Sequence, residues 1–302
     1  MEIHRSSLTR DLQYFRELNY RLETRVKQGV RFVAPADILH PLEYLPYVKA
    51  KRYGRYCRYF RVVDSTNRAG KLWAQESAPD GAVVIAEYQS KGYGRFGRKW
   101  FSPFGKDILF SLIIYPSLET KDIPVLPFAV ANAVCDAVEE SCEVSVETLW
   151  PNDILLEGKK LGGILIENTF QGQELAFSIV GIGLNVNSIP EDYPEGVRER
   201  VTSLRAYLKK EVSRPLVFAH ILNHLEDKVA RLEEGQGKKI LSEWQNRALF
   251  FNNKVYVLLL NGEMLEGIAS GVDSEGKLRL IAKERSLLLD ASDVLRIVPL
   301  PS

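Results

Sequence analysis

The residues best suited to chemistry lie in one glycine-rich, basic segment, YQSKGYGRFGRKW at residues 88–100. Its glycines match the pattern G-x-G-x-x-G, but the residues that follow, FSPFG, do not begin a helix. A dinucleotide-binding loop needs a helix whose N-terminus faces the phosphate, so the sequence excludes that interpretation. No Gly-Lys-Ser or Gly-Lys-Thr sequence occurs either, which excludes a Walker loop.

The same segment could bind an anionic ligand. Its glycines let the backbone lie close to a ligand, and guanidinium groups bind phosphate oxygens in pairs without losing charge at neutral pH. The cations that accompany the glycines are Lys91, Arg95, Arg98 and Lys99. The pattern is typical of a clamp over an adenylate or a triphosphate, although a flexible basic hairpin tip would have the same composition.

Four further segments place polar groups at the ends of expected elements. They are Asp64-Ser65-Thr66-Asn67, Trp150-Pro151-Asn152-Asp153, Lys159-Lys160-Leu161-Gly162-Gly163 and Gly181-Ile182-Gly183-Leu184-Asn185-Val186-Asn187. The first could cap a helix or offer hydroxyls to a ligand, and Asp153 could form a simple turn or bind Mg²⁺. Lys160, at an expected hairpin turn, could be solvated or could stabilise the charge that develops in adenylation.

The elements that position these segments mix strands and helices. Periodicity predicts strands at 59–63, 82–88, 108–115, 154–157, 163–168 and 177–184, and helices after residue 66, over 127–140 and over 213–232. The order is not a regular βαβ array and therefore indicates an α+β fold. Short strands at 254–260, 263–270, 277–282 and 286–290, with an Asn261-Gly262 turn, predict a small C-terminal β-barrel.

The N-terminal section predicts one helix over 8–18 and a β-hairpin over 20–34. Residues 1–61 hold 13 basic and 6 acidic residues, and the run KAKRYGRYCRYFR at 49–61 combines cations with aromatic rings. Such a run could contact nucleic acid, or it could be a solvated linker that leads into an edge strand.

Composition narrows the class of protein further. Hydrophobic residues make up 45% and charged residues 26% of the 302 residues, an ordinary globular balance. No apolar run reaches the roughly 18 residues of a membrane span, and the N-terminus lacks a signal-peptide core, so a cytoplasmic location is expected. Three cysteines without a Cys-x-x-Cys pair suggest neither disulfides nor zinc, and His220 and His224 lack an acidic metal-site context.

Together, in this order, the five polar segments and the C-terminal strands resemble the biotin–protein ligase family over residues 55–298. The resemblance implies a class II synthetase-like mixed sheet at residues 55–248 and an SH3-like domain at 249–302. Residues 1–54 would then be a linker and a partial winged-helix remnant, which lacks the preceding helices of a complete DNA-binding domain.

The resemblance also implies the reaction and its participants. Biotin and ATP would form biotinyl-5'-AMP with Mg²⁺, and the biotinyl group would pass to a lysine of a biotin carboxyl carrier domain. Lys160 and Arg95 would be catalytic, and Asp153 would bind Mg²⁺. Biotin would contact Ser65, Thr66, Asn67, Gln89, Gly92, Tyr93, Gly94, Arg95, Lys160 and Gly162. ATP would contact Arg95, Arg98, Trp100, Asn152, Asp153, Lys160 and Asn185.

Two positions depart from the family pattern. Tyr93 and Leu149 each stand where a cation is common, so each removes a positive charge near the phosphates. A lipoate–protein ligase, which shares the fold, and a biotin-sensing DNA-binding repressor are the alternative functions. The resemblance leaves both a monomer and a homodimer open.

Overall fold

The computed structural model describes residues 5–18, 20–25, 28–34, 37–283 and 285–300. Its α-helices are α1 (Arg5–Glu17), α2 (Pro41–Tyr44), α3 (Thr66–Gln75), α4 (Leu126–Cys142), α5 (Glu195–Arg198), α6 (Leu204–Leu208), α7 (Arg214–Glu233) and α8 (Gly237–Arg247). No helix in these ranges is long and apolar enough to cross a membrane.

A seven-stranded mixed sheet forms the centre of the protein, in the order β3-β4-β5-β9-β8-β7-β6. Its strands are β3 (Cys57–Phe60), β4 (Val83–Ala86), β5 (Ile108–Ile114), β6 (Glu147–Leu149), β7 (Asp153–Leu156), β8 (Lys159–Gln171) and β9 (Glu174–Leu184). β3 and β4 run parallel, whereas the other neighbours are antiparallel. The α+β fold expected from the order of the elements is therefore confirmed.

Helix α4 covers one face of this sheet because apolar residues occupy nearly all of its length. Its buried side chains include Val130, Val134 and Val138, the three valines that predicted a helix. α7 and α8 pack beside α4, and the ring of Trp244 on α8 meets Phe128 edge to face at 4.8 Å. α8 was not predicted from the sequence.

The C-terminal strands form a five-stranded antiparallel sheet in the order β13-β12-β11-β10-β14. They are β10 (Lys254–Leu259), β11 (Met264–Val272), β12 (Leu278–Ala282), β13 (Arg285–Leu289) and β14 (Val294–Pro299). Gly262 in the turn between β10 and β11 has a φ of 87°, the left-handed conformation that glycine permits. This sheet is consistent with the expected SH3-like domain.

At the N-terminus, α1 is followed by the hairpin β1 (Arg21–Arg25) and β2 (Gly29–Ala34), as the sequence predicts. Residues 26, 27, 35 and 36, at the hairpin turn and after β2, lie outside the described residues. A small apolar cluster of Leu18, Tyr20 and Ile38 lies under this unit.

The basic-aromatic run at 49–61 is largely occupied by contacts within the chain. Arg52 pairs with Asp80 and Glu233, Arg58 pairs with Glu76, and the Arg61 guanidinium donates to a backbone carbonyl of α1. These contacts favour the interpretation that the run is a linker leading into edge strand β3, and they disfavour a free basic patch.

Candidate active site

A cavity of about 910 Å³ lies between the central sheet and the C-terminal sheet. One wall carries the start of α3 and the segment 93–100, and another carries Lys160 with the segment 149–153. Residues 295–300, on and after β14, complete it, so both sheets contribute to the same cavity.

The start of α3 presents a cluster of hydroxyl and amide groups to this cavity. Ser65 is the N-cap residue, and its hydroxyl accepts from the backbone N–H of Arg68 at 3.5 Å. The backbone N–H and the hydroxyl of Thr66 both donate to Gln89 Oε1, at 2.7 and 3.1 Å. Ser65, Thr66, Asn67 and Gln89 thus meet in one place, as the sequence predicts.

Ser111 supports this cluster from below and was not predicted. It is fully buried, and its Oγ lies 2.8 Å from Thr66 Oγ1 and 2.6 Å from Asn67 Oδ1. Ser111 is the one hydroxyl residue in the apolar run ILFSLII of β5, which is the signal that could have drawn attention to it. A buried polar group needs a partner, and here the partners are site residues.

The segment 92–100 forms an irregular hairpin. Trp100 N–H donates to Gly92 O at 3.0 Å and Gly94 N–H donates to Arg98 O at 2.8 Å. The tip is a short 3₁₀ turn over Arg95–Gly97, where Phe96 has a positive φ of 57°. No long helix follows these glycines, in agreement with the rejection of a dinucleotide-binding loop.

Two arginines of this segment contact the backbone just before and within β14. Arg95 Nη2 donates to the carbonyls of Ala291 and Val294, the second at 3.0 Å, and Arg98 Nη2 donates to Leu295 O at 3.0 Å. Burial lowers the pKa of the Arg95 guanidinium, while the nearby charge of Asp153 opposes that shift. Both arginines also line the cavity.

The indole of Trp100 lies on two strands at positions where glycine leaves room for it. A Cβ at Gly183 would be 2.6 Å from Trp100 Cε2, and a Cβ at Gly163 would be 3.0 Å from Cζ3. Trp100 Nε1 is buried and has no hydrogen-bond partner among the described residues. The lack of a side chain at both glycines therefore leaves room for the Trp100 ring in the cavity.

Lys160 and Asp153 form an ion pair in the cavity, with Nζ 2.7 Å from Oδ1. The side chains are 33% and 26% exposed, so a ligand can still reach them. The sequence predicts a hairpin turn at residues 158–160, and this position is wrong. The turn consists of Glu157 and Gly158, with φ of 50° and 71°. Lys160 lies in strand β8, and its Nζ is 5.5 Å from the centre of the Trp100 ring.

The cavity contains most but not all of the expected site residues. Tyr93, Gly94 and Asn152 line it, whereas Gly92 lines a smaller adjoining cavity. Gly162, a buried residue of β8, pairs with β7 and β9 and lies outside the lining. Asn185 is also buried away from the cavity, and its Nδ2 donates to Thr202 O at 2.9 Å.

Asp153 is a suitable but incomplete ligand for Mg²⁺. Among the residues that the structure describes, no group of three or more His, Cys, Asp or Glu side chains could hold a metal ion. Mg²⁺ usually keeps several waters and binds one or two carboxylates together with substrate phosphates. Glu147 and Glu199 also line the cavity, but within the described ranges only Asp153 pairs there with a cation, Lys160. A site with few carboxylates and several cations fits a metal bound mainly by the nucleotide.

Comparison with known proteins gives this site its context. The model of the biotin/lipoate A/B protein ligase family matches residues 59–185. A Bacillus subtilis strain 168 protein named bifunctional ligase/repressor BirA is 30% identical over 290 residues, covering 96% of this chain and 89% of that relative. The chain belongs to the biotin/lipoate A/B protein ligase family.

Other members of this family are similar in sequence and in fold. A Mycobacterium tuberculosis biotin–acetyl-CoA-carboxylase ligase is 32% identical over 226 residues, covering 72% of this chain and 80% of that one. The structure of Aquifex aeolicus biotin protein ligase with biotin and ATP matches with a TM-score of 0.71 at 26% identity. The match covers 81% of the chain described here and 99% of the Aquifex chain.

Proposed function

We propose that the protein is an ATP-dependent biotin–protein ligase that forms biotinyl-5'-AMP and then transfers biotin to a lysine of a carrier domain. One observation carries the proposal: the polar cluster at α3, the Lys160–Asp153 pair and the indole of Trp100 share a single cavity. The names of its relatives support it, and so does the similar Aquifex structure that holds biotin and ATP.

The polar cluster suits biotin because the ureido ring offers two N–H donors and one carbonyl acceptor. The hydroxyls of Ser65 and Thr66 and the amide of Gln89 provide complementary groups on the cavity wall. The dithiolane ring of lipoate makes no comparable hydrogen bonds. A site built to hydrogen-bond an N–H discriminates against an analogue without it by a factor of about 10⁴–10⁵ in kcat/KM. The reason is that the buried polar groups of the site would be left unpaired.

In the first half-reaction the biotin carboxylate attacks the α-phosphorus of ATP, and the bond to pyrophosphate breaks. Both reactants are anions, so cations must bring them together and stabilise the transition state. Lys160 and Arg95 would provide this charge, and Trp100 would pack against the adenine. Asp153 would hold Mg²⁺, and the metal would supply further positive charge to the site.

In the second half-reaction the amine of the carrier lysine attacks the acyl carbon, loses a proton, and AMP leaves. The mixed anhydride must be kept from water until the carrier arrives. The segment 92–98 would shield it, because residues of this segment line one wall of the cavity and Arg95 and Arg98 are held there by hydrogen bonds. A biotin carboxyl carrier domain is the protein partner we propose.

A DNA-binding repressor function remains the alternative for the N-terminal unit. The Bacillus subtilis relative bears a name that includes repressor, and α1 with its hairpin has the order of a recognition helix and a wing. Electrophoretic mobility shift of biotin-operon promoter DNA, with and without biotin and ATP, tests this function separately from catalysis.

ATP–pyrophosphate exchange by the purified chain with Mg²⁺, comparing biotin with lipoate, tests the proposed enzyme. Exchange with biotin alone is the expected result. Exchange with lipoate would keep the mechanism and change the substrate. If neither acid supported exchange, the proposal would fail. Replacing Tyr93 and Leu149 with cationic residues would then be the first change to test.

A further inference from the structure

Glu167 on β8 lies beside the proposed biotin pocket, and its contacts join two parts of that pocket. Its half-buried carboxylate accepts from Asn67 Nδ2 at 2.6 Å and from the Tyr93 hydroxyl at 3.0 Å. None of the ion pairs found in the described ranges includes Glu167. The carboxylate is therefore satisfied by these two neutral donors.

The first contact fixes the orientation of the Asn67 amide. Asn67 is only 5% exposed, and Glu167 can only accept from it, so the NH₂ group must face Glu167. The amide oxygen then faces Ser111 Oγ at 2.6 Å. Gly181 leaves room for this arrangement, since a Cβ there would overlap Asn67 Oδ1.

The second contact anchors the start of the loop at residues 92–98. Burial and the Glu167 carboxylate both raise the pKa of Tyr93, so its hydroxyl stays protonated and donates. Tyr93 forms a backbone bridge with Lys99 at the base of the hairpin, and Arg68 lies over its ring at 5.3 Å. A bond at Tyr93 therefore holds one side of the loop against β8.

We propose that Glu167 is a positioning residue that couples the order of this loop to the orientation of the Asn67 amide. The proposal rests on the proposed function for its effect on biotin but not for its effect on the loop. Glu167 acts through Asn67 and Tyr93 and does not touch the reacting atoms. Loss of the carboxylate weakens biotin binding and loosens the loop together, and leaves the ATP contacts unchanged.

The loop is tested first without substrate. Trypsin cleaves after Lys91, Arg95, Arg98 and Lys99, so its rate of cleavage within residues 88–100 reports how often the loop opens. A hydrogen bond to a charged group controls opening by about tenfold or more, so Tyr93→Phe and Glu167→Gln should each accelerate cleavage by about that factor. Glu174→Gln, an exposed glutamate at the start of β9, the strand that pairs with β8, is the matched control and should cleave like the parent.

The coupling is tested with the Tyr93→Phe and Glu167→Gln double variant. Because Glu167→Gln only weakens the link that Tyr93→Phe removes, the double variant should open no more than about twofold faster than Tyr93→Phe alone. Multiplied effects of the two changes would overturn the proposal, as would cleavage of either single variant at the parent rate. Tyr93→Phe removes one oxygen only, so it still tests the anchoring of the loop if Glu167→Gln does not fold.

Pyrophosphate exchange then measures the biotin side. Glu167→Gln should raise the KM for biotin about tenfold and leave the KM for ATP within about twofold. Equal changes in both constants would point to a general structural role and overturn the positioning role. A parent chain that exchanges with neither acid refutes the proposed function, whereas the trypsin result still decides whether Glu167 holds the loop.

Discussion

Replacing Lys160 with methionine should separate catalysis from stability. Methionine keeps the aliphatic length and removes the charge that faces Asp153 at 2.7 Å. A cation about 4 Å from a phosphate contributes about 4 kcal/mol at an effective dielectric constant near 20. Asp153 offsets part of this, so we expect a loss of about 2.7–4 kcal/mol in the transition state, or about 10²–10³ in kcat.

The same change should have little effect on unfolding. The side chains of Lys160 and Asp153 are 33% and 26% exposed, and solvent screens such a pair, so its contribution to stability is about 0–1 kcal/mol. That corresponds to a fall in Tm of about 2–4 °C at most. Activity and stability should thus respond very differently to one substitution.

Exchange of labelled pyrophosphate into ATP at saturating biotin measures kcat, and differential scanning calorimetry measures Tm. Lys239→Met, an exposed lysine on α8, is the matched control and should change neither. Exchange by Lys160→Met within about threefold of the parent would refute the assigned role of this cation. A large fall in Tm with proportional loss of exchange would assign Lys160 to the fold instead.

Three further substitutions test other parts of the site. Arg95→Gly should release the adenylate and label many lysines in a mixture with the carrier; label confined to the carrier lysine on mass spectrometry would contradict this role. Gly183→Ala should displace the Trp100 indole, whose Cε2 would lie 2.6 Å from the new Cβ, and raise the KM for ATP about tenfold; an unchanged KM would contradict the ring's role. Arg214→Met should leave the buried Glu87 carboxylate without its cation and lower the free energy of unfolding in urea by about 3–5 kcal/mol, whereas a loss below about 1 kcal/mol would show that the ion pair is dispensable.

Local signals in the sequence were sufficient for much of the fold. Ser65 caps α3, apolar periodicity marks α4, and Asn261-Gly262 makes the turn before β11, because each of these features depends on neighbours along the chain. The division at residues 54 and 248 remains a prediction.

Local composition did not predict the position of the turn between β7 and β8. Gly158-Lys159-Lys160 has the polarity of a turn, but a two-residue turn at Glu157 and Gly158 satisfies the hairpin. The strand therefore starts earlier, and Lys160 occupies a half-buried strand position instead of a solvated tip. The difference matters because it places the cation beside Asp153.

Contacts between distant residues could not be predicted from one sequence. Glu167 has the pattern of an ordinary polar residue of a strand, yet it meets Asn67, 100 positions earlier. Nothing near Arg95 or Arg98 indicates that their partners are backbone carbonyls of β14. A carbonyl carries no sequence signature, so such partners emerge only when the fold is known.

The attachment of Arg95 to the C-terminal sheet has a consequence for the order of synthesis. The ribosome adds the carbonyl of Ala291 196 residues after Arg95. A nascent chain that has finished the central sheet still lacks the surface on which the loop docks, and closing so long a segment is slow relative to local folding. The contacts that hold Arg95 at the cavity wall therefore form only late in translation.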